Sequence, residues 1–213
     1  MTDQVAADFL PDELPANPME IVGQWLDDAR NARNQPNPNA MTLATQDTDG
    51  TLSARIVLCK RFDAEAGTID FFTNYRSRKS RALTAHNQVA LVFHWDHQGR
   101  QVRIQGKAAA LDATSNDTYF ATRPRLSQMG AWASDQSEPI ESRAALLKQF
   151  DKRNAAHGDR EIPRPEHWGG YRITAEYCEL WVEGSGRVHD RARFLRSIDS
   201  EPVTPWRGQR LQP

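Results

Sequence analysis

Between Met41 and Leu111 short β-type runs follow one another with turns between them and only one helical stretch. That rhythm excludes the regular strand–helix alternation of a doubly wound sheet. Met41–Ala44 and Leu52–Leu58 flank Asp47-Thr48-Asp49-Gly50, a hairpin signal. Thr68–Thr73, Val89–Trp95 and Gln101–Leu111 continue the pattern, with His97–Arg100 turning between the last two. Later strands are expected at Tyr171–Thr174, Tyr177–Val182, Val188–Leu195 and near Val203–Trp206. Helices fit Arg78–His86, Ala113–Thr122, Ile140–His157 and Met19–Asn31, where Val22, Trp25, Leu26 and Ala29 form an apolar stripe. The expected fold class is mainly β with attached helices, a Greek-key antiparallel barrel.

With 213 residues the chain can bury a substantial core. Residues 1–18 carry four acids and three prolines and read as a mobile arm, leaving 19–213 as one domain. A net charge of -1 provides no global field for nucleic acid, so any anion site must be local. The two cysteines, Cys59 and Cys178, argue against a disulfide scaffold and fit a reducing cytoplasm. There is no membrane-length apolar run and no signal-peptide pattern at the start. Neither a spaced metal-ligand set nor a Gly-x-Ser-x-Gly elbow is present.

Four segments concentrate polar and cationic groups. In Tyr119–Ser137, Tyr119 and Arg123 share a helix face, Pro124 stops the helix, and Ser127 is placed in the following loop. Such a set suits a phosphate, which arginine grips in bidentate fashion; a solvated basic turn anchored by Trp132 is the alternative. Ser77 is a good N-cap, and Arg78 and Lys79 then load the first helical turn with charge that opposes the helix dipole. An anion at the helix start would resolve the conflict, as would side chains extended into water. Arg55 and Lys60 bracket Ile56-Val57-Leu58-Cys59 at an odd separation, so a regular strand sends them to opposite faces, toward two anions or merely as strand-end charges. In Arg187-Val188-His189-Asp190-Arg191, a strand would put two guanidiniums and an imidazole on one face, after a Gly184-Ser185-Gly186 turn and near Trp181. Those groups face either an electron-rich ligand or solvent.

In order, these blocks resemble the pyridoxamine 5'-phosphate oxidase family, FMN enzymes that make pyridoxal 5'-phosphate. Besides the segments above, Phe72-Thr73-Asn74-Tyr75-Arg76, Arg100-Gln101-Val102-Arg103, His167-Trp168-Gly169-Gly170-Tyr171 and the closing Arg210-Leu211-Gln212-Pro213 carry the similarity. The resemblance implies a split-barrel homodimer with FMN between subunits. It places Arg55, Ile56, Val57, Leu58, Cys59, Lys60, Phe72, Thr73, Ser77, Arg78 and Lys79 around the cofactor, with Gln101, Gln136, Ser137, Trp181 and Arg191 completing the flavin site. Lys60, Tyr119, Arg123 and Ser127 would hold the substrate phosphate, and Arg187 and His189 would lie against the pyridine ring as the catalytic pair.

The implied reaction is oxidation of pyridoxamine 5'-phosphate or pyridoxine 5'-phosphate by O2. Two other readings share the fold: an FMN oxidase acting on a phenazine-type substrate, and a flavin or pyridoxal-phosphate carrier without turnover. This chain has Phe72 where tyrosine is usual, Cys59 and Val188 where leucine is usual, and Val182 in place of glutamine. Met1–Pro18 holds no arginine or tyrosine, so the family's Arg-Arg-x-Tyr lid is not expected.

Overall fold

The computed structural model describes residues 9–213. Helix α1 (Pro18–Ala32) starts where the Asn17 side chain accepts the Met19 N–H, with Pro18 supplying a preset φ. Its stripe of Val22, Trp25, Leu26 and Ala29 is buried. The strands are β1 (Ala40–Gln46), β2 (Leu52–Leu58), β3 (Arg61–Asp63), β4 (Thr68–Asn74), β5 (Gln88–Trp95), β6 (Arg100–Ala110), β7 (Trp168–Val182), β8 (Asp190–Leu195) and β9 (Arg207–Leu211). Between them lie α2 (Arg78–Ala85), α3 (Ala113–Ala121), α4 (Arg125–Ala133) and α5 (Arg143–His157).

All pairings are antiparallel, in the order β2-β1-β5-β6-β7-β4-β3, with β8 and then β9 added along β7. Neighbours that are not consecutive in sequence give the expected Greek-key crossing. Residues of β2 and β4, near opposite ends of this order, line one cleft, so the sheet curls toward closure. Alternate residues of β1, β5 and β6 point inward, and Met41, Leu43, Leu91, Phe93, Val102 and Ile104 fill the interior. A second apolar cluster, built on Phe120, Met129, Ile162 and Trp168, seats α3 and α4 against the barrel.

The β1–β2 hairpin, α1, α2, α3, β4, β5 and β6 fall within a residue or two of expectation. Four places differ. Pro124 ends α3 but opens α4 directly, since proline lacks only an N–H that a first turn leaves unpaired; Ser127 is therefore helical and not in a loop. The strands expected at Tyr171–Thr174 and Tyr177–Val182 are one strand, β7. A bulge joins them: Gln105 faces Tyr177 and Gly106 faces Ala175, which leaves Glu176 as the extra residue. Strand β8 begins only at Asp190, because Ser185–Arg187 forms a 3₁₀ turn with positive φ at Gly186 and Arg187. The last strand is Arg207–Leu211, not Val203–Trp206, because Pro205 cannot donate to a ladder.

Of the arm expected over Met1–Pro18, residues 1–8 lie outside the described residues. Leu10 is buried, its N–H donates to Asp190 Oδ2 at 2.9 Å, and Arg210 donates to the Leu10 and Pro11 carbonyls. That stretch is thus anchored to the start of β8.

Two glycines fix how closely the helices approach the barrel. A Cβ on Gly169 would lie 2.2 Å from the Tyr75 hydroxyl oxygen, itself bonded to the Gly170 carbonyl and to Asn116. On Gly170 it would meet Leu111 and Phe72 at 2.7 and 2.8 Å. Gly169→Ala is expected to lower stability by about 1–3 kcal/mol through overpacking, read as a shifted midpoint in urea unfolding.

Candidate functional site

A cleft of about 660 Å³ opens where β2, β4, α2, α3 and α4 converge. At one end β4 delivers Thr73, the first turn of α2 delivers Lys79, and the segment after α4 delivers Gln136. Lys79 Nζ donates to Gln136 Oε1 at 2.7 Å, Thr73 Oγ1 at 2.9 Å and Ser77 Oγ at 3.1 Å. It has no carboxylate partner among the described residues. Burial, and next the Arg55 charge, lower its pKa from 10.5 to about 8. Arg55 likewise bonds only neutral oxygens: Ser53 Oγ at 2.6 Å, Thr45 Oγ1 at 2.7 Å and the Leu43 carbonyl at 3.2 Å. Burial is the main reason its pKa is lowered too. Asp47, bonded to Arg78, offsets part of the Arg55 charge from a distance. Neither Arg55 nor Lys79 has a bonded carboxylate among the described residues, however, so the pair can take an anion.

Arg78 differs. Its Nε and Nη2 donate to Asp47 Oδ2 at 2.8 and 2.6 Å, so the β1–β2 turn already offsets its charge. Its backbone N–H, at the start of α2, donates to Ser137 Oγ at 3.2 Å. Cys59 is turned away from the cleft into the core, where burial pushes its thiol up to about 12.

At the other end α3 brings Tyr119, its C-terminal edge Arg123, and α4 Ser127, with Lys60 opposite. The Tyr119 ring stacks on Phe72 at 3.9 Å, and Phe72 stacks on Trp168 at 5.4 Å. Phe72 therefore contributes its ring as well as its backbone. The Arg123 guanidinium lies 4.5 Å over Trp168, its Nη1 is buried without a partner, and burial lowers its pKa. An orphaned guanidinium nitrogen beside a cleft is what a bound anion would satisfy. Ile56, Val57 and Leu58 lie between the two ends, and Gly130 and Ala131 of α4 form a low wall.

The remaining predicted residues form a separate cluster. Gln101, Trp181 and Arg191 are directly opposed across β6, β7 and β8. The His189 ring packs on Trp181 at 4.6 Å, and its Nδ1 accepts the Gly184 N–H at 3.2 Å. Arg187 sits in the turn at φ 64°, so it does not share a strand face with His189 and Arg191 as the sequence pattern implied. A non-glycine residue in that region is strained, and a second such residue, Ser137 at φ 77°, also belongs to the predicted set. None of these cluster residues lines the cleft. Trp168 and Trp181 occupy opposite ends of β7, roughly 40 Å apart along the strand.

Sequence reasoning missed the aromatic wall of Trp168, the small residues of α4, and Glu179, a buried acid beneath Arg191. The 4-residue spacing of Met129 and Ala133, both buried, was the available signal for α4. Among the described residues no group of three or more His, Cys, Asp or Glu could hold a metal. No helix there is long and apolar enough to cross a membrane.

Residues 28–155 match the family model described as pyridoxamine 5'-phosphate oxidase, and residues 168–213 match the pyridoxine 5'-phosphate oxidase C-terminal dimerisation region. The chain belongs to the pyridoxamine 5'-phosphate oxidase family. A pyridoxine/pyridoxamine 5'-phosphate oxidase of Azorhizobium caulinodans is 47% identical over 92% of this chain and 90% of its own length. One of Salinibacter ruber is 46% identical over 97% and 94%. Among solved structures, PhzG from Burkholderia lata, in complex with tetrahydrophenazine-1-carboxylic acid, superposes with a TM-score of 0.86. It is 30% identical and covers 98% of this chain and 100% of its own. The barrel is thus the family's flavin-binding split barrel, and the cofactor that goes with this membership is FMN. The donor set fits it: unpaired cations for a phosphate beside an apolar slot for a ring system.

The lowered Lys79 pKa gives a pH dependence. In the unfolded chain Lys79 keeps its proton to about 10.5, whereas in the ligand-free fold it loses it near 8. Between those values the unfolded state binds more protons, so this residue's contribution to stability improves as pH rises. Binding of an anion is linked the other way, because it restores the proton. FMN affinity, followed by flavin fluorescence quenching, is expected to fall above pH 8 by up to about tenfold per unit, and Lys79→Met should flatten that slope.

Proposed function

We propose that this chain oxidises pyridoxamine 5'-phosphate and pyridoxine 5'-phosphate to pyridoxal 5'-phosphate, with FMN as electron acceptor and O2 as oxidant. One observation carries the reading: the cleft is lined at one end by Lys79 and at the other by Lys60 and Arg123 with Tyr119 and Ser127. None of these cations is bonded to a carboxylate among the described residues, and the Arg123 Nη1 has no partner there. A flavin phosphate accounts for the first. The second calls for a substrate with an anion of its own, and a phosphate ester meets its guanidinium, phenol and hydroxyl together.

FMN, when bound, would supply the redox chemistry, as the acceptor of a hydride from the substrate C4' carbon that O2 reoxidises with release of H2O2. The protein's part is placement. Lys60, Tyr119, Arg123 and Ser127 fix the phosphate end, so the ring end has one way to lie. Accepting the Gly184 N–H at Nδ1 leaves neutral His189 with its proton on Nε2, available to a substrate oxygen or nitrogen. Arg187, set in a strained turn two residues before His189, would supply the positive charge of the pair.

The distance along β7 between the cleft and the Trp181–Arg191 cluster supports a site completed by a second copy of the chain. In this homodimer Gln101, Trp181, Arg187, His189 and Arg191 of one subunit face the cleft of the other. The match of residues 168–213 to a dimerisation region fits that arrangement.

Anaerobic mixing of the FMN-loaded protein with pyridoxamine 5'-phosphate should bleach the flavin, and air should restore it with release of peroxide. A flavin that stays yellow with both vitamin phosphates, yet bleaches with a tetrahydrophenazine carboxylate, would sink the proposal in favour of phenazine chemistry. Arg123→Ala is expected to raise KM for the phosphorylated substrates about 10- to 100-fold, the loss of charge-assisted hydrogen bonds worth about 1.5–3 kcal/mol. Arg123→Ala and Arg187→Ala subunits, each inactive at low substrate, should recover about one quarter of wild-type activity when co-expressed in equal amounts. Half the dimers then carry one intact site out of two.

A further inference from the structure

Glu179 is the largest polar commitment the sheet makes outside the cleft. It sits mid-strand on β7, 2% exposed, between the buried Cys178 and Leu180. Its carboxylate is saturated by four donors. Oε1 accepts from Arg191 Nη2 at 2.7 Å and Nε at 3.2 Å; Oε2 accepts from the Tyr177 hydroxyl at 2.6 Å and Arg103 Nη1 at 3.0 Å. Burial alone would raise its pKa, but the phenol and the two guanidiniums hold it below the ordinary carboxylate value. The phenol of Tyr177 is pushed up to about 12, by burial first and then by the carboxylate beside it.

This arrangement is costly unless complete, and nothing in the barrel's packing demands an acid here. What it does is immobilise Arg191. Two guanidinium nitrogens are held by one carboxylate oxygen, and the third, Nη1, donates to the Gln212 carbonyl at 3.0 Å. Among the described residues, three of the five N–H groups are thereby engaged, and one on each terminal nitrogen is left for a ligand. Arg191 lies directly opposite Trp181, in the row with Gln101.

We propose that Glu179 is a positioning residue for the flavin: it holds the Arg191 guanidinium in the single orientation in which its two free N–H groups meet the cofactor. The proposal rests on the FMN reading above. A fixed cation there favours the reduced, more negative flavin over the oxidised one, and a swinging cation favours it less.

Glu179→Asp keeps the charge and withdraws the carboxylate by one methylene, so orientation is tested without changing the field. The FMN-loaded variant is titrated with a reductant against a reference dye. The expected result is a loss of at least tenfold in preference for reduced over oxidised FMN, about 30 mV for a two-electron couple. The same substitution in an Arg191→Gln background should shift the potential no further. A wild-type potential in Glu179→Asp, while Arg191→Gln alone moves it, would overturn the proposal, as would equal shifts in both backgrounds. The first result would leave Glu179 a purely structural acid, visible only in melting temperature; the second would mean that it acts on the flavin without Arg191. Should Glu179→Asp fail to fold, Tyr177→Phe removes one donor and leaves both ion pairs. It should shift the potential in the same direction by a smaller amount, and an unchanged value would count against the proposal. A wild-type chain that binds no FMN overturns the functional reading itself, and this inference with it.

Discussion

Strand β7 is the member on which the other parts depend. It pairs with β6 along most of its length, with β4 over Trp168–Thr174 and with β8 over Tyr177–Val182. One continuous strand can serve two different partners on its second edge only if it bends between them, and the bulge at Glu176 lies at that change of partner. Arg196 secures it, donating from its backbone to the Glu176 carbonyl and from Nε to the Ala175 carbonyl. Gly106 opposite is obligatory, since a Cβ there would sit 2.1 Å from the Thr174 carbonyl oxygen. The cleft at one end of β7 and the Trp181 cluster at the other are thus held in fixed relation by one piece of backbone.

The same economy governs charge. Asp70 is buried and gripped by Arg172 through two 2.8 Å bonds, and Glu179 is enclosed by Arg103, Arg191 and Tyr177. Asp47 neutralises Arg78. Arg55, Lys79 and Arg123 are partly buried with no bonded carboxylate among the described residues, and of these Lys79 and Arg123 line the cleft.

Much of this was legible in the sequence. Period-2 burial was enough to place β1, β5 and β6, because those strands bury one face and their alternation survives in the residue order, and the Asp-Thr-Asp-Gly turn placed β2 beside β1. Two positive signals misled. Ala175-Glu176 reads as a break between strands, yet hydrogen bonding across a bulge costs less than ending the ladder. Pro124 reads as a stop, though proline is equally a starter. The motif Arg187–Arg191 implied a single strand face, but the turn that follows Gly184 takes up Arg187 before the strand begins. Of the residues expected at the site, Lys60, Thr73, Lys79, Tyr119, Arg123, Ser127 and Gln136 line one cleft, but their distance from Trp181 could not be read. That depends on the bend of a strand, which no local pattern encodes. Glu179 escaped notice because an acid within an apolar strand is informative only once its partners, on three different strand positions, are known.

Arg210 joins Asp190 to the carbonyls of Leu10 and Pro11, bridging positions 200 residues apart. Synthesis reaches this arginine 200 residues after Leu10, so the segment near Leu10 has no clamp to enter until that whole stretch has been made. The surroundings of the cluster around His189 and Arg191 are consequently complete only once Arg210 has joined the chain, and any chain that stops short of it would lack the tie that closes them.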